Sequence, residues 1–167
     1  MRGRKDLGHE LYEALEAKAK SDNLRAALFG VTLLGRIPNR GQIDVLEEVA
    51  GRASDKILRC QAMYSMGLLR DPAGVPFLLR VLGSPKEGDY ERQTAASAVE
   101  IIRDGITDKM PVEVWWYVFD REPGGIMDFP TLAAMHADLS AWWQANAERL
   151  LSQRQVLDYR NHRSKPR

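Results

Sequence analysis

The chain is short of several things, and each shortage excludes a class of protein. Its 167 residues include a single cysteine, Cys60, between Arg59 and Gln61. No disulfide framework is possible within the chain, so the fold must be held by packing alone. That pattern fits the cytoplasm, which is the expected location. The longest weakly polar run, Ala26 to Gly35, is far short of the roughly 20 apolar residues a membrane span needs, so no span is expected. The N-terminus, Met-Arg-Gly-Arg-Lys-Asp, has no apolar stretch behind its charges and does not read as a secretory leader. No segment reads as a confident strand, which removes the context in which a glycine-rich phosphate loop would work.

Net charge is also nearly absent. The formal value is +1, and it is unevenly placed. Eight of the 24 basic residues lie at the ends (Arg2, Arg4, Lys5, Arg154, Arg160, Arg163, Lys165 and Arg167), leaving 16 basic against 22 acidic side chains over residues 6 to 153. The body is therefore mildly acidic and does not present the basic footprint of a nucleic-acid binder, although the ends could.

What the sequence does contain is amphipathic helix after amphipathic helix. Leu7, Leu11, Leu15 and Ala19 recur at steps of four and predict a first helix over residues 6–20 with that stripe buried. Ser21, Asp22 and Asn23 break it and offer caps for a second helix, Leu24 to Ile37, ended by Gly35 and Pro38. Ile43, Leu46, Val49 and Ala50 mark a third. Ser54 and Asp55 cap a fourth, with Ile57, Leu58, Ala62, Met66 and Leu69 on its apolar face. Asp71-Pro72 ends that run, because proline disfavours helix in the residue before it. Gly74 and Pro76 open a fifth helix with Val75, Leu78, Leu79 and Leu82 inward. A sixth covers Tyr90 to Arg103.

These helices repeat. A shift of 32 places Gly35 on Gly67, Ile43 on Val75, Leu46 on Leu78 and Val49 on Val81. A shift of 33 places Arg59 on Arg92, Ala62 on Ala95, Met66 on Val99 and Arg70-Asp71 on Arg103-Asp104. A period of a few tens of residues is the mark of stacked helical repeats. The units read as about 22–53, 54–88 and 89–120. A C-terminal helix follows over 130–151, then a basic, flexible tail over 154–167; residues 1–153 form one domain. After Arg103 the pattern deteriorates. Ile106 to Phe119 is rich in β-branched and aromatic residues, but a helix begun at Pro111 is expected, since an isolated strand would leave its backbone unpaired. Residues 120–129 read as a loop turning at Pro123-Gly124-Gly125. Pro130 then opens the last helix through Leu132, Met135, Leu139, Trp142, Trp143, Ala147, Leu150 and Leu151.

The central unit carries Arg59-x-x-Ala62-x-x-x-Met66-Gly67-x-Leu69-x-Asp71-Pro72-x-x-Val75-Pro76-x-Leu78-x-x-x-Leu82. This resembles the HEAT-like repeat of the phycobilisome-lyase type. The resemblance implies an all-α fold, a short α-solenoid (α-α superhelix) of helical hairpins with N- and C-terminal capping helices. Small Ala62 and Gly67 would let helices approach, and Asp71-Pro72 would turn the chain. The match spans roughly half the chain. Ala27 stands where Arg59 would be, Gly30 replaces Ala62, Glu100 replaces Gly67, and no Asp-Pro-x-x-Val-Pro follows Asp104. The resemblance does not carry lyase activity with it, as most relatives of the pattern look like interaction scaffolds.

No catalytic motif is found. The three histidines, His9, His136 and His162, lie apart, so no metal cluster is expected. His9-Glu10 is similar to one of the repeated His-Glu pairs by which HEAT-like deoxyhypusine hydroxylases hold iron, but it stands alone and reads as a solvated face. Cys60 reads as a buried thiol. His136 and Asp138, two apart on a helix, do not face one another. No catalytic residue, cofactor or metal ligand is therefore assigned.

The aromatics cluster as Trp115-Trp116-Tyr117 and Trp142-Trp143, and neighbouring helical residues point about 100° apart. They cannot all enter one core; the expectation is that some pack inward and others cover the exposed end of the stack, and the alternative is that one tryptophan per cluster is exposed as an anchor for a partner. Repeat stacks bind along a surface lined by one helix of each unit. The outward positions there are Glu47, Glu48 and Arg80, with Glu48 and Arg80 equivalent under the 32-residue shift. Glu48, Arg80 and Trp116 are the candidate partner-binding residues. Their mixed charge favours another protein or peptide as partner. The expected function is a non-enzymatic interaction scaffold; the alternative is a nucleic-acid binder using the basic termini, as HEAT-like DNA glycosylases show the fold can support.

Overall fold

Each helix begins and ends where its local chemistry dictates. A computed structural model describes residues 7–38, 41–104 and 129–154. Within them lie α1 (Leu7–Ala19), α2 (Leu24–Leu34), α3 (Ile43–Arg52), α4 (Lys56–Leu69), α5 (Val75–Gly83), α6 (Asp89–Asp104) and α7 (Phe129–Ser152), with no strand among the described residues. Asn23 caps α2 by accepting from the Ala26 amide at 3.1 Å, and Asp55 caps α4 by accepting from Leu58 at 2.9 Å. Such caps satisfy amides that a first turn leaves free. Asp71 does the same for a single 3-10 turn, Pro72–Gly74, accepting from Ala73 at 3.0 Å. Helix α4 stops at Arg70, whose φ of 51° is left-handed. The all-α class and the alternation of helix and tight turn agree with the sequence reading. The helix expected from Pro111, the loop at Pro123-Gly124-Gly125, Trp115, Trp116 and Tyr117 lie outside the described residues.

The helices pack in pairs. Helices α2, α4 and α6 lie side by side, α2 against α4 and α4 against α6. Behind them α1 packs on α2, α3 on α4 and α5 on α6, and α7 packs on α5, α6 and the turn ahead of α5. The tight pairs α3–α4 and α5–α6 thus straddle the boundaries drawn at residues 53 and 88 between sequence units. The interior between the rows holds Leu34, Leu46, Met63, Met66, Leu78 and Leu82, all fully buried. Each contributes about 1.5–3 kcal/mol relative to exposure. No helix among the described residues is long and apolar enough to cross a membrane.

The sequence repeat reappears as repeated contact. A Cβ at Gly35 would lie 2.6 Å from the Ser65 Cβ, and one at Gly67 would lie 3.0 Å from the Ala98 Cα. Gly67 is Gly35 shifted by 32, and Ala98 is Ser65 shifted by 33, so α2–α4 and α4–α6 touch at corresponding points. A second contact also recurs. Arg59 Nε donates to the Ala50 carbonyl and Arg92 Nε to the Leu82 carbonyl, both at 2.9 Å. Each guanidinium thereby meets a carbonyl at the C-terminal end of the preceding helix, where the helix dipole favours positive charge.

Three expectations need correction. Leu11 is 53% exposed, while Tyr12 joins Leu15 and Ala19 inside. A stripe at steps of four drifts by about 40° per step, so Leu11 rotates away from the face that Leu15 and Ala19 bury. Helix α2 ends at Leu34, three residues before Ile37, because Gly35 turns the chain. Leu151 is exposed while its neighbour Leu150 is half-buried, so Leu151 lies on the outer side of α7.

Candidate binding surface

The outward faces of α3 and α5 carry the charges that the sequence marks as candidates. Glu48 on α3 accepts from Lys20 Nζ at 2.8 Å, just past the end of α1, and also pairs with Arg52 on its own helix. Lys20 is shared, since it also reaches Glu16 at 3.2 Å. The Lys20 hydrogen bond is the main reason the Glu48 carboxyl is held below its ordinary range, with Arg52 adding to it. Reciprocally, Glu48 raises the Lys20 ammonium. The preceding residue, Glu47, is pushed up by burial, an effect that the Arg80 charge opposes and Asp44 reinforces.

Arg80, on α5, is exposed, and its guanidinium lies 5.1 Å from the centre of the Phe77 ring on the same helix. This is a cation–π geometry. The two residues equivalent by the 32-residue shift do not share an environment: Glu48 is tied back toward α1 by Lys20, whereas Arg80 lies over Phe77 of its own helix and acts on Glu47 of α3 through its charge. Trp116, the third candidate, lies outside the described residues.

Beside Glu48 the α1–α2 turn and α3 enclose an open groove of roughly 370 Å³, lined by Lys20, Ser21, Asp22, Glu48 and Arg52 with Val49, Ala53 and Leu58. Its rim therefore presents two cations and two anions around an apolar strip. Such a rim offers complementary ion pairs to a polar chain with a few apolar side chains and gives no net attraction to a polyanion. Lys20 and Arg52 were not marked from the sequence; their positions become meaningful only when α1 folds against α3.

The remaining reactive side chains have structural surroundings. Cys60 is buried, and burial pushes its thiol up, partly offset by the Thr94 hydroxyl. A thiol so placed is a poor nucleophile. His9 pairs with Glu13 at 3.0 Å on the face of α1. His136 packs its ring against Gly83. Among the described residues no group of three or more His, Cys, Asp or Glu side chains could hold a metal ion. Trp142 and Trp143 are both half-buried against the core, rings tilted by 44° with centres 6.1 Å apart.

The least anticipated feature is a network around Arg59. Besides Ala50, it pairs with Glu87 at 2.6 Å in the α5–α6 connection and lies 4.0 Å from Glu91, which is buried at the start of α6. One arginine thus joins three segments. The 33-residue match of Arg59 with Arg92 was the available signal; the partners are 9 to 32 residues distant and have no signature of their own.

No family model, curated protein or solved structure matches this chain.

Proposed function

We propose that this chain is a non-enzymatic protein-binding module, a short α-solenoid of HEAT-like helical hairpins that recognises another protein or peptide along the charged outward faces of α1, α3 and α5. The observation that carries the reading is the recurrence of two contacts, glycine on small residue and arginine on helix-end carbonyl, at the 32- and 33-residue shifts. A chain that repeats its contacts in this way builds an extended row of helices, and such rows serve as binding surfaces. The mixed-charge groove beside Glu48 and the exposed Arg80 supply the recognition chemistry for a peptide segment of mixed charge.

Capture from source cells, with bound proteins cross-linked and mapped, tests this. The wild type should yield cross-links at the α1–α3 groove and α5, and Glu48→Lys combined with Arg80→Glu should abolish them at unchanged thermal stability. A bound set indifferent to both substitutions would remove the site, and one that also survives Trp116→Ala would remove all three candidate residues. Loss of capture after nuclease treatment, with binding that weakens steeply as salt rises, would instead favour nucleic acid.

A further inference from the structure

We propose that the C-terminal half of α7 is a strap that opens and closes on the α5 end of the stack, held shut by the ion pair between Arg154 and Asp71. The inference is independent of whether the stack binds a protein.

The strap's path follows from two contacts. His136 lies against Gly83 at the end of α5, and Arg154, just past the end of α7, reaches Asp71, ahead of the start of α5. Helix α7 therefore runs antiparallel to α5, with its last turns over the Pro72–Gly74 turn. Its attachment changes along its length. Leu132 and Leu139 are fully buried in the first half, and Arg103 of α6 lies 3.5 Å from Asp138. From Trp142 onward no described side chain of α7 is fully buried: Trp142, Trp143, Ala147 and Leu150 are half-buried and Leu151 is exposed. A segment with few buried apolar contacts belongs to the low-stability end of a fold and opens locally.

Against that weak middle stands a strong end. Arg154 donates Nε to one Asp71 oxygen at 2.6 Å and Nη2 to the other at 2.7 Å, a two-pronged pair. Asp71 is 1% exposed. Its carboxylate also accepts from the Ala73 amide, but the guanidinium on it comes from 83 residues further along the chain, and taking the cation away from a buried carboxylate is costly. The geometry is that of a latch: a two-pronged ion pair onto a buried carboxylate at the tip holds a half-helix whose own side chains are at most half-buried. Opening would uncover the two indoles and the part of the core they lie against.

Hydrogen exchange by mass spectrometry on the full chain tests the latch. Arg154→Ala should speed exchange over residues 142–152 by about tenfold or more and leave residues 129–139, α4 and α6 as in the wild type. Arg154→Lys, which keeps the charge and loses the fork, should fall between. Unchanged protection over 142–152 in Arg154→Ala would overturn the proposal. So would a uniform loss across α4, α6 and α7, which would make Arg154 a contributor to global stability and not a latch.

Discussion

The first helical pair and the two that follow reach the same closeness by different chemistry. In α3–α4 and α5–α6 an arginine, Arg59 or Arg92, fastens the pair by donating to a carbonyl at the end of the earlier helix. In α1–α2 the corresponding residue is Ala27, fully buried, and the approach is made through Gly30, where a Cβ would sit 2.4 Å from the Ala19 amide nitrogen. An arginine needs room for its stem and a carbonyl to satisfy; a glycine pair needs neither but tolerates no added atom. The lesson is that a helical repeat can lose its fastening residue at one end of the row if a small residue lets the backbones close up instead.

That comparison can be broken most severely at the glycines. Gly30→Val and Gly67→Val each force a side chain against neighbouring backbone, Ala19 in one case and Ala98 in the other. Each should cost about 3 kcal/mol or more, seen as a large drop in the midpoint of chemical denaturation or as failure to fold. A cost below 1 kcal/mol at Gly30 would show that α1 and α2 are not held by close approach. Arg92→Ala comes next. It removes a charged hydrogen bond to the Leu82 carbonyl in a buried setting and should cost about 1.5–3 kcal/mol, by the same denaturation measurement. An indifferent Arg92→Ala would mean the fastening contact is incidental and the two kinds of pair are alike.

The smallest effect is expected at Lys20→Ala, which cuts the link between the end of α1 and Glu48 on α3. Partly exposed pairs contribute little, so the midpoint at neutral pH should move less than for any substitution above. The sign of its pH dependence is informative. Glu48 is held below its ordinary range chiefly by Lys20, so the wild-type advantage is present above the usual carboxylate range and disappears as pH falls through the lowered value. A wild-type advantage that grew on acidification would show that Lys20 does not hold Glu48. Parallel melting curves of the two proteins across that range provide the measurement.

Much of the fold was legible because helices announce themselves locally. Asn23 and Asp55 mark starts, Asp71-Pro72 and Gly35 mark stops, and apolar residues at helical spacing mark the faces of α3 to α6. Where spacing alone was used it failed in an instructive way: Leu11 lies on a regular stripe and still faces solvent, because the direction α1 buries is chosen by Gly30 on α2. Of the candidate surface, Glu48 and Arg80 were found as outward charges, but their partners were not. Nothing in the spacing of Lys20 and Glu48 shows that they meet, or that the Arg80 charge acts on Glu47, since each pair joins different helices.

The sequence by itself determined the helices, their caps and the 32- and 33-residue periodicity, because all three depend on interactions within a few residues or on repetition visible in one dimension. Only the tertiary structure decided what the repetition is for at the level of atoms. It showed that Gly35 and Gly67 are contact points between neighbouring helices of one row, that Arg59 and Arg92 close successive pairs, and that Asp71 pairs with Arg154. The physical reason is that a side chain reaching another helix obeys the packing of backbones in space, and the separation of 83 residues between Asp71 and Arg154 leaves no trace in any local pattern.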